Sequence, residues 1–258
     1  MRQILRRKII DSLAATAPAH IPRDVHLPRI PGKAIAVIGP RRAGKTTFLW
    51  QRLMELRAQG FDREGLLYFN FEDERLAGMT AADLPVLVEE YFQLHPERRD
   101  RRKVVFFLDE IQLVPGWETF ARRLLDTEKM ELYLSGSSAK LLSREVATSM
   151  RGRGMEALVL PFSFREFLRR EGMEPEGRPD RLPKADRSAL ERKLAEYLAA
   201  GGFPEAVARR GRRREAFFDN YISDIINRDV IQLSEIERGP QMRTLVRLLA
   251  AQTGGLLV

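Results

Sequence analysis

The chain of 258 residues contains no cysteine, which excludes both a disulfide framework and a thiolate metal site. Histidine is nearly as scarce. His20, His26 and His95 stand far apart, a poor basis for a zinc site. No apolar run reaches the roughly 20 residues that span a bilayer. The opening Met1-Arg2-Gln3-Ile4-Leu5-Arg6-Arg7-Lys8 lacks the apolar core and cleavage site of a secretory signal. A cytoplasmic address with no membrane partner is therefore expected. What is present is an ordinary globular composition, 44% hydrophobic and 31% charged, enough for one large α/β domain or one domain and part of a second. Lys and Arg exceed Asp and Glu by 44 to 36. That excess suits an anionic nucleotide, and could also attract nucleic acid or an anionic surface.

Short apolar runs alternate with helical spacing. Strands are expected at 34–38, 66–71, 104–108, 132–134 and 157–160, and helices from Thr46 towards Gly60 and around 82–94 and 117–128. The run Val104-Val105-Phe106-Phe107-Leu108 is wholly apolar, as a strand buried on both faces should be. This alternation makes the fold class α/β, a mostly parallel sheet flanked by helices. After Pro161 only helical patterns remain, at 162–170, 187–200 and around Phe217–Ile226, broken at Gly201-Gly202-Phe203-Pro204. Three parts are expected: a basic lead and Pro-punctuated connector at 1–30, a core at 31–160, and a helical lid or second domain at 161–258.

The sharpest motif is Gly39-Pro40-Arg41-Arg42-Ala43-Gly44-Lys45-Thr46, which fits GxxxxGK[ST] in every required position and follows a strand and opens a helix, as a P-loop must. Its glycines let backbone N–H groups turn towards phosphate oxygens, and the helix dipole attracts the same anion. Lys45 can reach the β- and γ-phosphates, and the Thr46 hydroxyl can hold Mg²⁺. The run 104–108 then ends in Asp109-Glu110, at the strand edge where open α/β sheets bind ligands. Asp109 is expected to hold the metal and Glu110 to polarise the water attacking the γ-phosphate. The spacing of the two motifs leaves room for one extra strand, which favours the additional-strand class of P-loop ATPases over nucleoside kinases.

Ser135-Gly136-Ser137-Ser138 ends the next strand, where a hydroxyl could sense the γ-phosphate; Ser135 and Ser137 are both candidates. Arg151-Gly152-Arg153 precedes the last strand and could supply an arginine finger, in cis or on a neighbouring subunit. Two basic runs, Arg98 to Lys103 and Arg209 to Arg214, come with no nucleic-acid recognition motif and are expected to be solvated faces.

Together, Gly-Pro-Arg-Arg-Ala-Gly-Lys-Thr-Thr (39–47), Asn-Phe-Glu-Asp (70–73), Phe-Leu-Asp-Glu-Ile-Gln (107–112), Leu-Ser-Gly-Ser-Ser-Ala (134–139), Arg-Gly-Arg (151–153), Leu-Pro-Phe-Ser-Phe-Arg-Glu-Phe (160–167), Gly-Gly-Phe-Pro-Glu (201–205) and Asp-Ile-Ile-Asn-Arg-Asp (224–229) resemble a large prokaryotic family of AAA-type ATPases with a C-terminal domain of unknown function. The resemblance implies ATP at the 39–47 loop, including Thr47, with Lys45 and Thr46 central. It implies Mg²⁺ at Asp109 with Thr46, hydrolysis by Glu110, a phosphate sensor among Ser135 and Ser137, and Arg153 in preference to Arg151. Members usually continue through a winged-helix-like segment and a further α/β portion, so the ending at Thr253–Val258 is expected to mark a fragment. The leading expectation is a Mg²⁺-dependent ATPase whose cycle moves the helical region and signals to a protein partner, with assembly into a homo-oligomer open. A nucleic-acid-associated ATPase and a nucleotide switch with little hydrolysis are the alternatives.

Overall fold

A computed structural model describes residues 1–27, 30–101, 103–136, 150, 152–177, 182–227 and 239–251. It divides into two compact units, Met1–Arg187 and Ser188–Val258.

The first unit is built on five parallel strands: β1 (Ala34–Ile38), β2 (Leu66–Asn70), β3 (Val104–Asp109), β4 (Met130–Ser135) and β5 (Gly154–Leu158). Their order across the sheet is β2-β3-β4-β1-β5. The P-loop strand β1 is thus separated from the acidic strand β3 by β4, while β2, which lies between them in sequence, forms an edge. Strand β1 is buried at all five positions and β3 at all six, which is why β1 reads as an uninterrupted apolar run and β3 as one up to Asp109.

Alternate side chains feed two layers. Ala34, Ala36, Ile38, Phe69, Phe106, Leu108 and Leu134 pack with α1 (Arg2–Ala14), α3 (Leu84–Leu94) and α4 (Trp117–Thr127). Ile35, Val37, Val105, Phe107 and Tyr133 face the opposite way, onto α2 (Lys45–Ala58). The period of two in the strands sets this division.

Two boundaries differ from the sequence expectation. Helix α1 is part of the core layer and not a lead outside it: Leu5 and Ile9 are fully buried. Its basic face is also engaged, with Arg2 and Arg6 on Glu90 and Lys8 on Asp73. Each of the two apolar side chains contributes roughly 1.5–3 kcal/mol by burial. Strand β5 begins at Gly154 and not at 157, because pairing with β1 (Ala34 with Gly154 through Ile38 with Leu158) sets its register. At this edge Ala157 is the one fully buried residue of the strand, so apolar content marks the strand poorly. Helix α5 (Phe164–Arg170) follows, started by a capping box between Ser163 and Glu166.

The second unit takes in most of α6 (Lys184–Ala200), then α7 (Pro204–Val207), α8 (Arg212–Asp224) and α9 (Gly239–Ala251). Its described core is aromatic, with Phe203 packed on Phe217, Phe218 and Tyr221 and Phe217 fully buried.

Candidate active site

The carboxyl ends of β1, β3 and β4 converge on one point. Beyond β1 the chain turns through Gly39 (φ 148°), Arg42 (φ 59°) and Gly44 (φ 97°) into α2. Gly39 is obligatory for space as well as for its positive φ, since a Cβ there would stand 2.0 Å from the carbonyl oxygen of Val159. The Lys45 ammonium curls over the loop and donates to the carbonyls of Gly39 (3.1 Å) and Pro40 (3.0 Å). Ala43, within the loop, is fully buried, and Thr46 sits in the first turn of α2.

Asp109, the last residue of β3, is fully buried and surrounded by hydroxyls. Its Oδ2 accepts from Thr46 Oγ1 at 2.8 Å and from Tyr68 OH at 2.7 Å, and its Oδ1 accepts from Ser135 Oγ. Tyr68 belongs to β2 and packs its ring on Trp50 of α2 at a centroid distance of 4.5 Å. Burial, and then the neighbouring Asp109 charge, push the Tyr68 phenol well above its ordinary value, so it remains a donor.

Glu110 follows in the left-handed conformation (φ 57°), a strained geometry for a residue with a Cβ. Its carboxylate accepts from Gln112 Nε2 at 2.6 Å, and its backbone N–H faces Ser135 Oγ at 3.5 Å. The sequence motifs 39–47, 109–110 and 135 therefore meet in space.

Ser135 is fully buried, so it bears on the site through Asp109. Ser137 and Arg151 lie outside the described residues. Arg153 is not brought to the site. It precedes β5 at the amino-terminal edge of the sheet, where its carbonyl accepts from Ala34 N at 2.8 Å and its guanidinium pairs with Asp126. The five residues of β1 separate that edge from the P-loop, roughly 16 Å at strand rise, so Arg153 cannot serve its own chain's loop from there. A cavity of about 510 Å³, lined in part by Lys33, Arg52 and Tyr133, lies at the same remote edge.

About half of the basic residues in the two runs are held by neighbours. Arg98 pairs with Asp62 and Glu64, Arg99 with Glu128, and Lys103 with Glu131. Arg209 pairs with Glu205, and Arg214 donates to the carbonyls of Ala206 and Arg209.

The donor set suits a magnesium nucleotide. Thr46 and Asp109 offer hard oxygens close enough to share one small cation, which ordinarily takes one or two carboxylates and fills its shell with water and phosphate. Among the described residues no three Asp, Glu or His side chains gather to hold a metal by themselves. Two residues here were missed by reading the motifs alone. Tyr68 carries no local signature. Arg23, whose guanidinium donates to the Ala43 carbonyl at 2.8 Å, is hidden in a proline-rich connector.

The chain is similar to several known proteins. An uncharacterized protein of Methanocaldococcus jannaschii is 33% identical over 243 residues, which are 93% of this chain and 52% of that protein. An uncharacterized protein of Haemophilus influenzae is 29% identical over 222 residues, 86% of this chain and 52% of that one. The chain thus spans about half the length of the curated relatives it matches. Among solved structures, C. elegans PCH-2 matches with a TM-score of 0.45 and 14% identity, covering 80% of this chain and 59% of that chain. Residues 191–258 match a domain of unknown function. Residues 31–168, more than half of the chain and including Gly39 to Thr46, Tyr68, Asp109, Glu110 and Ser135, match the AAA domain model, and the chain belongs to that family.

Proposed function

We propose that the chain binds ATP with Mg²⁺ at the 39–47 loop and hydrolyses it, using the change in nucleotide state to drive a partner. The observation that carries this reading is the 2.8 Å contact between Thr46, at the start of the P-loop helix, and the buried Asp109. Two motifs 63 residues apart in sequence form one oxygen-rich site.

In this reading the N–H groups of residues 39–46 line the phosphates. Lys45 exchanges two neutral loop carbonyls for anionic phosphate oxygens, so the ammonium stays paired throughout and gains charge-assisted contacts in the complex. A magnesium ion held by Thr46 and Asp109 would neutralise charge on the β- and γ-phosphate oxygens. Glu110 sits one residue beyond Asp109, and its αL backbone is the kind of strain that functional sites retain. It is assigned as the base that orients and polarises the attacking water. Gln112 fixes the Glu110 carboxylate until that water is in place. Ser135 ties Asp109 to the Glu110 backbone, so a phosphate-sensing role for Ser135 would run through the metal ligand. Arg153 fits the site only if it belongs to a second copy of the chain, which makes a homo-oligomer part of this proposal.

Calorimetric titration with Mg·ATP tests the binding step. Lys45→Ala should lose at least tenfold in affinity, since a charge-assisted contact of this kind contributes roughly 1.5–3 kcal/mol. Unchanged affinity in that variant would sink the assignment. The basic runs come with no recognition motif, and several of their members are held by neighbours, so a nucleic-acid role has no specific support.

A further inference from the structure

The P-loop is braced from outside by one buried guanidinium. Arg23 is 9% exposed and Glu166 4%. Arg23 Nη1 donates to the carbonyl of Ala43, inside the loop, at 2.8 Å, and Nη2 donates to the carbonyl of Leu160. Its Nε donates to Glu166 Oε1 at 3.0 Å, its cation lies 4.8 Å from the centre of the Phe162 ring, and its backbone N–H donates to Gln51 of α2 at 2.8 Å. Glu166 is held in turn by the backbone N–H groups of Asp24 and Ser163, each at 2.8 Å. The planar fork of arginine thus reaches three acceptors on three segments of chain, which a lysine ammonium on its flexible stem cannot reproduce.

Val159 completes the brace. Its N–H donates to the Ile38 carbonyl at 2.8 Å, and its own carbonyl fills the space where Gly39 lacks a side chain. Both ends of the loop are therefore held by residues 159–166, directly at Gly39 and through Arg23 at Ala43.

We infer that Arg23, oriented by Glu166, fixes the shape of the P-loop and is a positioning residue for the bound nucleotide. A loop fixed before binding pays less ordering cost when phosphate arrives, so the effect should fall on affinity and KM and leave kcat at saturation unchanged. The effect on nucleotide rests on the proposed ATP site; the effect on the loop does not.

Three variants of the full chain decide the matter. Arg23→Lys keeps the charge beside Glu166 and loses the fork. Glu166→Gln keeps a near-identical shape and weakens the hold on Arg23. Arg169→Gln is the control, because Arg169 secures the same connector at Pro22 and Asp24 without touching the loop. Hydrogen exchange of nucleotide-free protein should show residues 39–46 exchanging faster in Arg23→Lys and Glu166→Gln, and unchanged in Arg169→Gln. Fluorescent ATP-analogue binding should weaken about fivefold to tenfold in the first two, a part of the tenfold or more that a charge-assisted hydrogen bond contributes, since the loop keeps its contact with Val159, and by less than twofold in the control. Equal exchange of 39–46 in Arg23→Lys and the wild type would overturn the inference, as would an equal change in the Arg169→Gln control. If Lys45→Ala binds the analogue as well as the wild type does, the nucleotide reading falls, and the exchange data still decide whether Arg23 sets the loop.

Discussion

Replacing Tyr68 with Phe should destabilise the empty protein more than the Mg·nucleotide complex. Asp109 is fully buried and accepts from Thr46, Tyr68 and Ser135. Tyr68→Phe removes one donor while the ring keeps its packing on Trp50. A hydrogen bond to a charged group contributes about 1.5–3 kcal/mol net, and with two donors left the lower part of that range applies. In a folding unit of this size each kcal/mol lowers Tm by about 2–4 °C, so the nucleotide-free variant should melt about 3–8 °C below the wild type.

Oδ1 is engaged by Ser135, and Thr46 lies on the Oδ2 side together with Tyr68. A cation shared by Thr46 and Asp109 would therefore replace the Tyr68 hydroxyl as a partner of the carboxylate. In saturating Mg·ADP the deficit should shrink to about half or less, and by linkage the variant should bind Mg·ADP more tightly than the wild type. Thermal unfolding of both proteins, with and without Mg·ADP, measures the four values needed. Equal deficits in the two conditions would refute the placement of the metal between Thr46 and Asp109.

Other substitutions test other links. Leu5→Ala should cost about 2–5 kcal/mol in urea unfolding, because α1 belongs to the core; a change below about 0.5 kcal/mol would return it to the status of a lead. Gly39→Ala should abolish nucleotide binding by calorimetry, since its Cβ meets the Val159 backbone. Arg153→Ala should leave nucleotide affinity unaltered and lower turnover only at protein concentrations where copies associate. Acid stability should depend on Glu166: burial raises its pKa, but the N–H groups of Ser163 and Asp24 and the Arg23 guanidinium outweigh that and hold it below the ordinary 4.5. A lowered folded value means stability fully present above 4.5 and lost as pH falls through the folded value, so Glu166→Gln should flatten the Tm–pH curve below 4.5.

Much of this site was legible because its chemistry is local in sequence. A P-loop needs its glycines, lysine and threonine within eight residues, and a strand buried on both faces must be apolar until it meets the ligand edge. Asp109 and Glu110 stand out by that rule only beside the P-loop, since a strand running into any charged turn reads the same. The α/β class was equally open, because β1 and β3 are buried on both sides.

What escaped was carried by contacts between distant residues. Arg23 lies in a stretch punctuated by prolines, and its partners are Ala43, Leu160 and Glu166. Tyr68 is one of two aromatic residues in β2, distinguished only by the register that sets it beside Phe107, two residues before Asp109. Arg153 precedes β5 and so stands at the amino-terminal edge of its own sheet, which leaves the neighbouring-subunit form of the arginine-finger reading. Helix α1 was set apart by its basic residues; Arg2, Arg6 and Lys8 have acidic partners, Glu89, Glu90 and Asp73, that come more than 60 residues later.

The central claim is that Glu110 serves Mg·ATP hydrolysis at a site assembled from Lys45, Thr46 and Asp109. The direct measurement is phosphate release from ATP over a series of protein concentrations, with Mg²⁺ and with a chelator, for the wild type and for Glu110→Gln. The account expects Mg²⁺-dependent turnover in the wild type, and in Glu110→Gln retained ATP binding with turnover lowered at least a hundredfold. Turnover in Glu110→Gln equal to that of the wild type, or tight binding with no hydrolysis at any concentration, would contradict it.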